Sequence, residues 1–241
     1  TNFIIITSPD SISMSFPNVV DATCNALCNG QATLVTAGGT MPYTYSWPSS
    51  SVGVTDSLLC ADTLTVSITD LAGCVQTQDV IIGEPTPIDI ALDSIDASCS
   101  GVADGTVNGV ITGGTPGYSF DWAGPSAPLP DNDTITSILT GSYVLTVTDD
   151  NGCEAIDSIM VNTTIFVIPD AGPDTAICFG TGPLVLTGTG MAVSFEWYDL
   201  DGNQISTMDT LAVDSTGCYV LLGIDGLCSN KDTVCVVVNA L

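Results

Sequence analysis

Three tryptophans, Trp47, Trp122 and Trp197, follow one another at a constant step of 75 residues, each two positions after an aromatic residue, Tyr45, Phe120 or Phe195. A fixed period of that length marks a unit repeated in tandem. The cysteines keep the same order around each tryptophan: Cys24 and Cys74, Cys99 and Cys153, Cys178 and Cys228. The later one always closes a turn containing Asp and Gly, as in Asp70-Leu-Ala-Gly73-Cys74, Asp149-Asp-Asn-Gly152-Cys153 and Asp225-Gly226-Leu-Cys228. A Cys, Trp, Cys frame among short alternating segments points to small β-sandwich domains and away from one large enzyme fold.

The period divides the 241 residues into three repeats. Units of about 75 residues sit near the size at which a single hydrophobic core is marginal, so a covalent bridge in each is physically reasonable. Ten cysteines supply five pairs, and cysteine used this densely implies an oxidising compartment. The charge is extreme: 27 acidic side chains stand against a single base, Lys231, with no histidine, for a net charge of −26. Nothing here can neutralise phosphates, which excludes a nucleic-acid partner and an anionic membrane surface. The absence of a basic leader and of a long apolar run argues against a signal peptide and direct membrane insertion.

Thr, Val and Ile with regular Gly, Pro, Asn and Asp favour strands and turns over helix. The middle repeat reads as strands over Ile88 to Leu92, Thr106 to Thr112, Tyr118 to Trp122, Ile135 to Leu139, Tyr143 to Thr148 and Ala155 to Val161. Alternation in the fifth of these places Tyr143, Leu145 and Val147 on one face. The opening Phe3-Ile-Ile-Ile6-Thr-Ser-Pro9 is similar to Val80-Ile-Ile82-Gly-Glu-Pro85, where the first repeat hands over to the second. The expected organisation is therefore residues 1–9 as the last strand of a preceding repeat, then repeats over 10–85, 86–162 and 163–241. The fold expected is all-β, a tandem of disulfide-stapled Ig-like β-sandwiches forming an extended rod.

Several residues together carry a family resemblance. In the middle repeat they are Cys99, Gly105, Gly113-Gly114-Thr115-Pro116, Tyr118-Ser-Phe120-Asp-Trp122, Gly141-Ser-Tyr143, Val147-Thr148-Asp149 and Asn151-Gly152-Cys153. They resemble the SprB repeat of Bacteroidetes surface proteins. The first repeat matches through Cys24, Gly30, Gly38-Gly39-Thr40, Pro42-Tyr43-Thr-Tyr45-Ser-Trp47, Ile68-Thr69-Asp70 and Gly73-Cys74. It departs in having Ala61-Asp62 where a glycine is usual, and in adding Cys28 and Cys60. The third repeat is similar to a related Ig-like or PKD-like domain, through Cys178, Trp197, Gly217-Cys-Tyr219 and Cys228, without the Gly-Gly-Thr-Pro loop. The resemblance implies very large adhesins and filaments at the bacterial cell surface, exported by the type IX secretion system, often in gliding cells.

By period the cysteines pair as Cys24 with Cys74, Cys99 with Cys153 and Cys178 with Cys228; the remainder then pair as Cys28 with Cys60 and Cys218 with Cys235. A zinc site would need close Cys pairs, and only Cys24 and Cys28 approach that spacing. The tryptophans could offer carbohydrate-stacking platforms, but identical placement in every repeat favours core residues packed against a disulfide. Asp followed by Ser or Thr and then an apolar residue or Thr recurs far above the two or three cases roughly expected by composition. The pattern resembles the Bacteroidetes O-glycosylation acceptor, with Ser11, Ser57, Thr63, Ser94, Thr134, Ser158, Thr175, Thr210, Ser215 and Thr233 as candidates; the alternative is ordinary strand-entrance grammar. The sequon Asn162-Thr-Thr164 is read as incidental.

Asp199-Leu-Asp201-Gly202-Asn203 and Asp131-Asn-Asp133 space oxygen ligands as calcium loops do, yet neither continues to the Glu that completes an EF-hand, so each reads as a solvated turn. No cofactor is expected, with calcium at repeat junctions as the exception to test. Without histidine there is no His-based triad or usual general base, and a string of narrow sandwiches offers no cleft for paired carboxylates, so an enzyme is not expected. The reading is a structural and adhesive segment of a large extracellular filament, giving reach, stiffness and attachment. Its partners would be further copies of itself, other cells or surface polysaccharide. The alternative is a polysaccharide-binding module, or accessory domains of a larger secreted protein.

Overall fold

The computed structural model describes residues 10–126 and 128–239, and the Phe3 to Ile6 segment lies outside them. The chain is all-β, with no helix among the described residues. The first repeat holds β1 (Ser13–Val20), β2 (Gly30–Ala37), β3 (Thr44–Ser46), β4 (Thr55–Leu59), β5 (Asp62–Thr69) and β6 (Val75–Ile82), in sheets ordered β1-β2-β4 and β3-β5-β6. Alternating side chains from both sheets meet in one core of Ala32, Leu34, Trp47, Leu59, Val66, Ile68, Val80 and Ile82. Phe16 stands edge-on to Trp47 with ring centroids 6.0 Å apart.

The second repeat follows the same order. Its strands are β7 (Asp89–Ile95), β8 (Gly105–Thr112), β9 (Ser119–Ala123), β10 (Thr134–Ile138), β11 (Gly141–Thr148) and β12 (Glu154–Val161), in sheets β10-β8-β7 and β12-β11-β9. Tyr143, Leu145 and Val147 are all fully buried, as the alternation in β11 requires. The chain also divides into two compact units. One runs to Ala91 and adds Ile111–Phe120 and Thr146–Ile156; the other takes Leu92–Val110, Asp121–Leu145 and everything from Asp157.

The third repeat contains β13 (Ile168–Asp170), β14 (Thr175–Cys178), β15 (Leu184–Thr187), β16 (Thr189–Met191), β17 (Ser194–Asp199), β18 (Gln204–Ser206), β19 (Thr210–Val213), β20 (Gly217–Asp225) and β21 (Cys228–Asn239). A five-stranded sheet, β14-β21-β20-β17-β18, is matched by the two-stranded pieces β13-β16 and β15-β19. Counted along the chain, this is the immunoglobulin arrangement, with the third, sixth and seventh main strands in one sheet and the first, second and fifth in the other. Trp197 sits in the third main strand, fully buried among Leu186, Leu211, Val213, Leu221, Val234 and Val236. Two repeats also carry the tyrosine that pins the corner before the sixth strand. Tyr143 donates to the Leu139 carbonyl at 2.8 Å and Tyr219 to the Ser215 carbonyl at 3.3 Å. The first repeat has Leu64 at that position.

The tryptophans are core residues, and the cysteines lie outside the sandwich cores that contain Trp47 and Trp197, so these two do not pack against a disulfide. Each indole nitrogen is satisfied by a backbone carbonyl, Gly53 at 2.8 Å, Asn132 at 2.8 Å and Asp209 at 3.3 Å. A buried, hydrogen-bonded indole has no face left for a sugar.

The Gly-Gly-Thr loops are held by a carboxylate. Gly38 and Gly39 have φ of 75° and 66°, and Gly113 and Gly114 have 73° and 61°. A Cβ on Gly38 would strike the Ser11 carbonyl, and one on Gly113 the Pro87 carbonyl, so glycine is needed both for the turn and for the close approach. Each loop then presents an amide to the Asp-Gly turn. Thr40 N donates to Asp70 at 2.9 Å, and Thr115 N to Asp149 at 2.8 Å. The same carboxylates accept Cys74 N at 2.8 Å and Cys153 N at 2.9 Å. Tyr43 and Tyr118 close the loops by donating to the Gly38 and Gly113 carbonyls. Backbone N–H groups, that of Thr40 first, hold the Asp70 carboxyl below the usual carboxylate range, and Thr115 leads the same effect at Asp149.

Two outcomes follow. Trp197→Ala should cost about 3–5 kcal/mol in equilibrium denaturation of the third repeat, a large share of the stability of a small domain. Because the folded carboxyls are depressed, their stabilisation is complete above the unfolded value of about 3.9 and is lost as pH falls through the folded value. Asp149→Asn should therefore melt lower than the native protein at pH 7 and show a shallower further fall between about pH 4 and pH 2. Equal slopes in a pH series of melting curves would contradict the clamp.

Candidate functional site: the bridged junctions

The cysteine pairing is offset by one repeat from the one the period suggested. Cys24 is bonded to Cys153 and Cys99 to Cys228, each across 129 residues, while Cys74 and Cys178 are free and exposed. Cys28 is bonded to Cys60, and Cys218 to Cys235. The expected bridges Cys24 to Cys74, Cys99 to Cys153 and Cys178 to Cys228 are therefore absent.

Strand length explains the correction. Cys74 immediately precedes β6, whereas Cys24 lies near the other end of that strand, where Ala22 N donates to the Gly83 carbonyl at 2.9 Å. Eight strand residues span about 26 Å at 3.3 Å each, and a disulfide needs Cα atoms about 4.4–6.8 Å apart. In the third repeat β21 separates Cys228 from the Asn239 carbonyl, which accepts from Phe179 N at 2.9 Å beside Cys178. Each early cysteine thus sits at the end of its repeat where the chain leaves, and each turn cysteine sits at the opposite end.

At the first junction Asp21, Ala22 and Asn25 gather the departing strand. Gly83 N donates to Asp21 at 2.7 Å, and Glu84 accepts Ala26 N at 2.6 Å and the Asn25 amide at 2.9 Å. The second repeat's clamped turn then meets this end: Asn151 Nδ2 donates to the Thr23 carbonyl at 3.0 Å beside the Cys24–Cys153 bond, whose Cα atoms are 5.7 Å apart. The second junction repeats the plan. Asn162 N donates to Asp96 at 2.9 Å, Ala97 N to the Asn162 carbonyl at 3.0 Å and Ile165 N to the Ser98 carbonyl at 2.8 Å. Cys99 and Cys228 are buried there with Val167, against Val102, Ile165 and Ala192. Two bonded cysteines in an apolar cluster are shielded from thiol attack.

The proposed glycan acceptors scatter over the surface. Ser11, Ser57, Thr63, Ser158, Ser215 and Thr233 are exposed, and Ser94, Thr134, Thr175 and Thr210 are half-buried. Several partner aspartates have a local structural task, since Asp62, Asp157 and Asp232 accept the next residue's N–H at 2.7, 2.8 and 2.8 Å. Asp199 spends both carboxylate oxygens on Asn203, at 2.8 Å each, closing its own turn. No group of three or more Cys, Asp or Glu that could hold a metal ion occurs among the described residues.

No curated protein matches the chain. Among solved structures, an I-band fragment of titin is 13% identical with a TM-score of 0.34, covering 98% of this chain and 100% of that one. The N-terminal eight Ig domains of Down Syndrome Cell Adhesion Molecule are 12% identical at TM-score 0.39, covering 94% and 36%. Immunoglobulin domains 1–5 of Sidekick-1 are 11% identical at TM-score 0.31, covering 95% of this chain and 59% of that one. These overlaps are loose, and the fold assignment rests on the strand order described above. The SprB repeat matches at residues 17–51 and again at 91–127. The two matches fall in the first and the second of the tandem Ig-like sandwiches.

Proposed function

We propose that this chain is a load-bearing segment of an extracellular structural and adhesive protein, with repeats over 10–85, 86–162 and 163–241 as its mechanical units. The observation that carries the reading is the overlap of two long bridges, Cys24–Cys153 and Cys99–Cys228. Tension entering at the start crosses from Cys24 to Cys153, runs back along the chain to Cys99 and crosses again to Cys228. Residues 25–98 and 154–227 are off the load path. A bridge confined to one repeat would protect that repeat alone; overlapping bridges make the junctions themselves covalent. Four disulfides are the chemistry of an oxidising compartment, and the acidic surface keeps such segments in solution. The SprB matches support placing it in a filament or adhesin on the surface of a bacterium of the Bacteroidetes, with export by a type IX system. The buried tryptophans weigh against the polysaccharide-binding alternative.

Pulled from its two ends in a force spectrometer, the oxidised chain should extend to only about two fifths of the contour of the reduced chain, at roughly 3.3–3.6 Å per freed residue. Cys24→Ser with Cys153→Ser should recover part of that missing length without reductant. Equal contours before and after reduction would remove the mechanical reading. Antibody labelling of native cells in electron microscopy should mark surface filaments; label on dispersed particles would favour an accessory domain. Protein isolated from those cells should weigh more than the bare polypeptide if the exposed Ser and Thr acceptors carry glycans, and intact mass measures this directly.

A further inference from the structure

We infer that the first repeat is a thiol-responsive unit: its exposed Cys28–Cys60 bridge pins the corner that a tyrosine hydroxyl pins in the other two repeats, and a small-molecule thiol releases it. In the second repeat Tyr143 reaches back four residues to donate to the Leu139 carbonyl at 2.8 Å, and in the third Tyr219 reaches back four to the Ser215 carbonyl at 3.3 Å. The Ser126 hydroxyl supports the first of these corners, lying 2.8 Å from the Tyr143 hydroxyl and accepting Leu139 N at 2.9 Å. The first repeat has Leu64 in the tyrosine position, packed against the core, and an aliphatic side chain has no proton to donate.

The residue in the place of Leu139 is Cys60. Gly30 pairs with Leu59 in the first repeat as Gly105 pairs with Ile138 in the second, so the next residues, Cys60 and Leu139, occupy one corner position. Counted back from the same two glycines, Cys28 corresponds to Ala103. The first repeat therefore has the bridge without the tyrosine, and the second has the tyrosine without the bridge. The short bridge of the third repeat, Cys218–Cys235, joins paired positions on β20 and β21 and leaves its tyrosine corner to Tyr219.

The two kinds of pin differ in what can undo them. Cys28 and Cys60 are both exposed, Cys24, Cys153, Cys218 and Cys235 are half-buried, and Cys99 and Cys228 are 7% and 1% exposed. An exposed disulfide is the one that a dissolved thiol reaches. A donor thiolate attacks the Cys60 sulfur, forming a mixed disulfide and releasing the Cys28 thiolate. A second donor thiolate attacks the donor sulfur of that mixed disulfide and releases the Cys60 thiolate. Two donor thiols are oxidised to one disulfide, the Cys28–Cys60 bond is reduced, and the two donor protons pass to the released cysteines. The loop that carries Cys28 keeps other ties: Thr23 N and the Asn29 amide hold each other's residue at 3.0 and 2.8 Å, and Glu84 holds Ala26 N and Asn25 at 2.6 and 2.9 Å. Opening is thus confined to the corner between β4 and β5, and the Cys24–Cys153 bond stays in place.

The test uses the full oxidised chain with Cys74 and Cys178 first blocked by N-ethylmaleimide. It is then titrated with reduced glutathione, quenched with iodoacetamide and mapped by peptide mass. Cys28 and Cys60 should take the second label at glutathione concentrations about tenfold or more below those that label Cys99 and Cys228. Over the same range the amides of Asp62 to Leu64 should exchange hydrogen roughly tenfold faster or more, with those of Gly141 to Tyr143 unchanged. Cys28→Ser with Cys60→Ser should give the fast exchange without thiol, and adding Leu64→Tyr to that pair should slow it again. Labelling of Cys28 and Cys60 no earlier than Cys99 and Cys228, or labelling that leaves exchange at the corner unchanged, overturns the inference; a folded triple variant that still exchanges fast overturns the equivalence with tyrosine. Cys28→Ser with Cys60→Ser leaves both long bridges intact, so the force measurement on the oxidised chain is unaffected and the two readings fail separately.

Discussion

The length of a β-strand governs this protein. In the first and third repeats the last strand starts at or beside the turn cysteine and finishes beside the early one, so the two cannot meet inside a repeat. The early cysteine is instead presented where the chain departs, and the turn cysteine of the following repeat arrives there. Covalent continuity across the junction is thus a consequence of sandwich height. The first and third sandwich cores are left to tryptophan and aliphatic packing, with no cysteine among the residues packed around Trp47 and Trp197.

The acidic residues divide into two populations with different physics. A few are structural acceptors: Asp70 and Asp149 are buried and draw a glycine loop and a cysteine turn together through backbone amides. Their depressed pKa values arise from those amides, with Lys231 as the only basic side chain in the sequence. Most of the others face solvent and sum to a repulsive field. The clamp that gives the first two repeats their Gly-Gly-Thr signature also holds the turn cysteine, bonded to Cys24 in the case of Cys153 and free in the case of Cys74.

Much of the fold was legible before any coordinates. The tryptophan period marked a tandem, the alternation in Tyr143 to Thr148 marked a half-buried strand, and all six strands read in the middle repeat have counterparts displaced by a few residues at their ends. The pairing of cysteines was not legible from order alone. Equal spacing is compatible with bonding inside a repeat or with the next one, because the period is the same in both cases. Counting the residues of the strand after Cys74 would have exposed the conflict, since about eight extended residues cannot be folded back to disulfide distance.

Composition, period and turn chemistry determine by themselves that this chain is an acidic, all-β tandem: local propensity and hydrophobic alternation are short-range properties written into neighbouring residues. Which cysteine bonds which, which aspartates are buried as clamps, and which faces remain open were decided only by tertiary structure, because each depends on where the ends of strands lie after packing. The two free cysteines become informative only in that frame, where their counterparts in the neighbouring repeats are seen to be bonded.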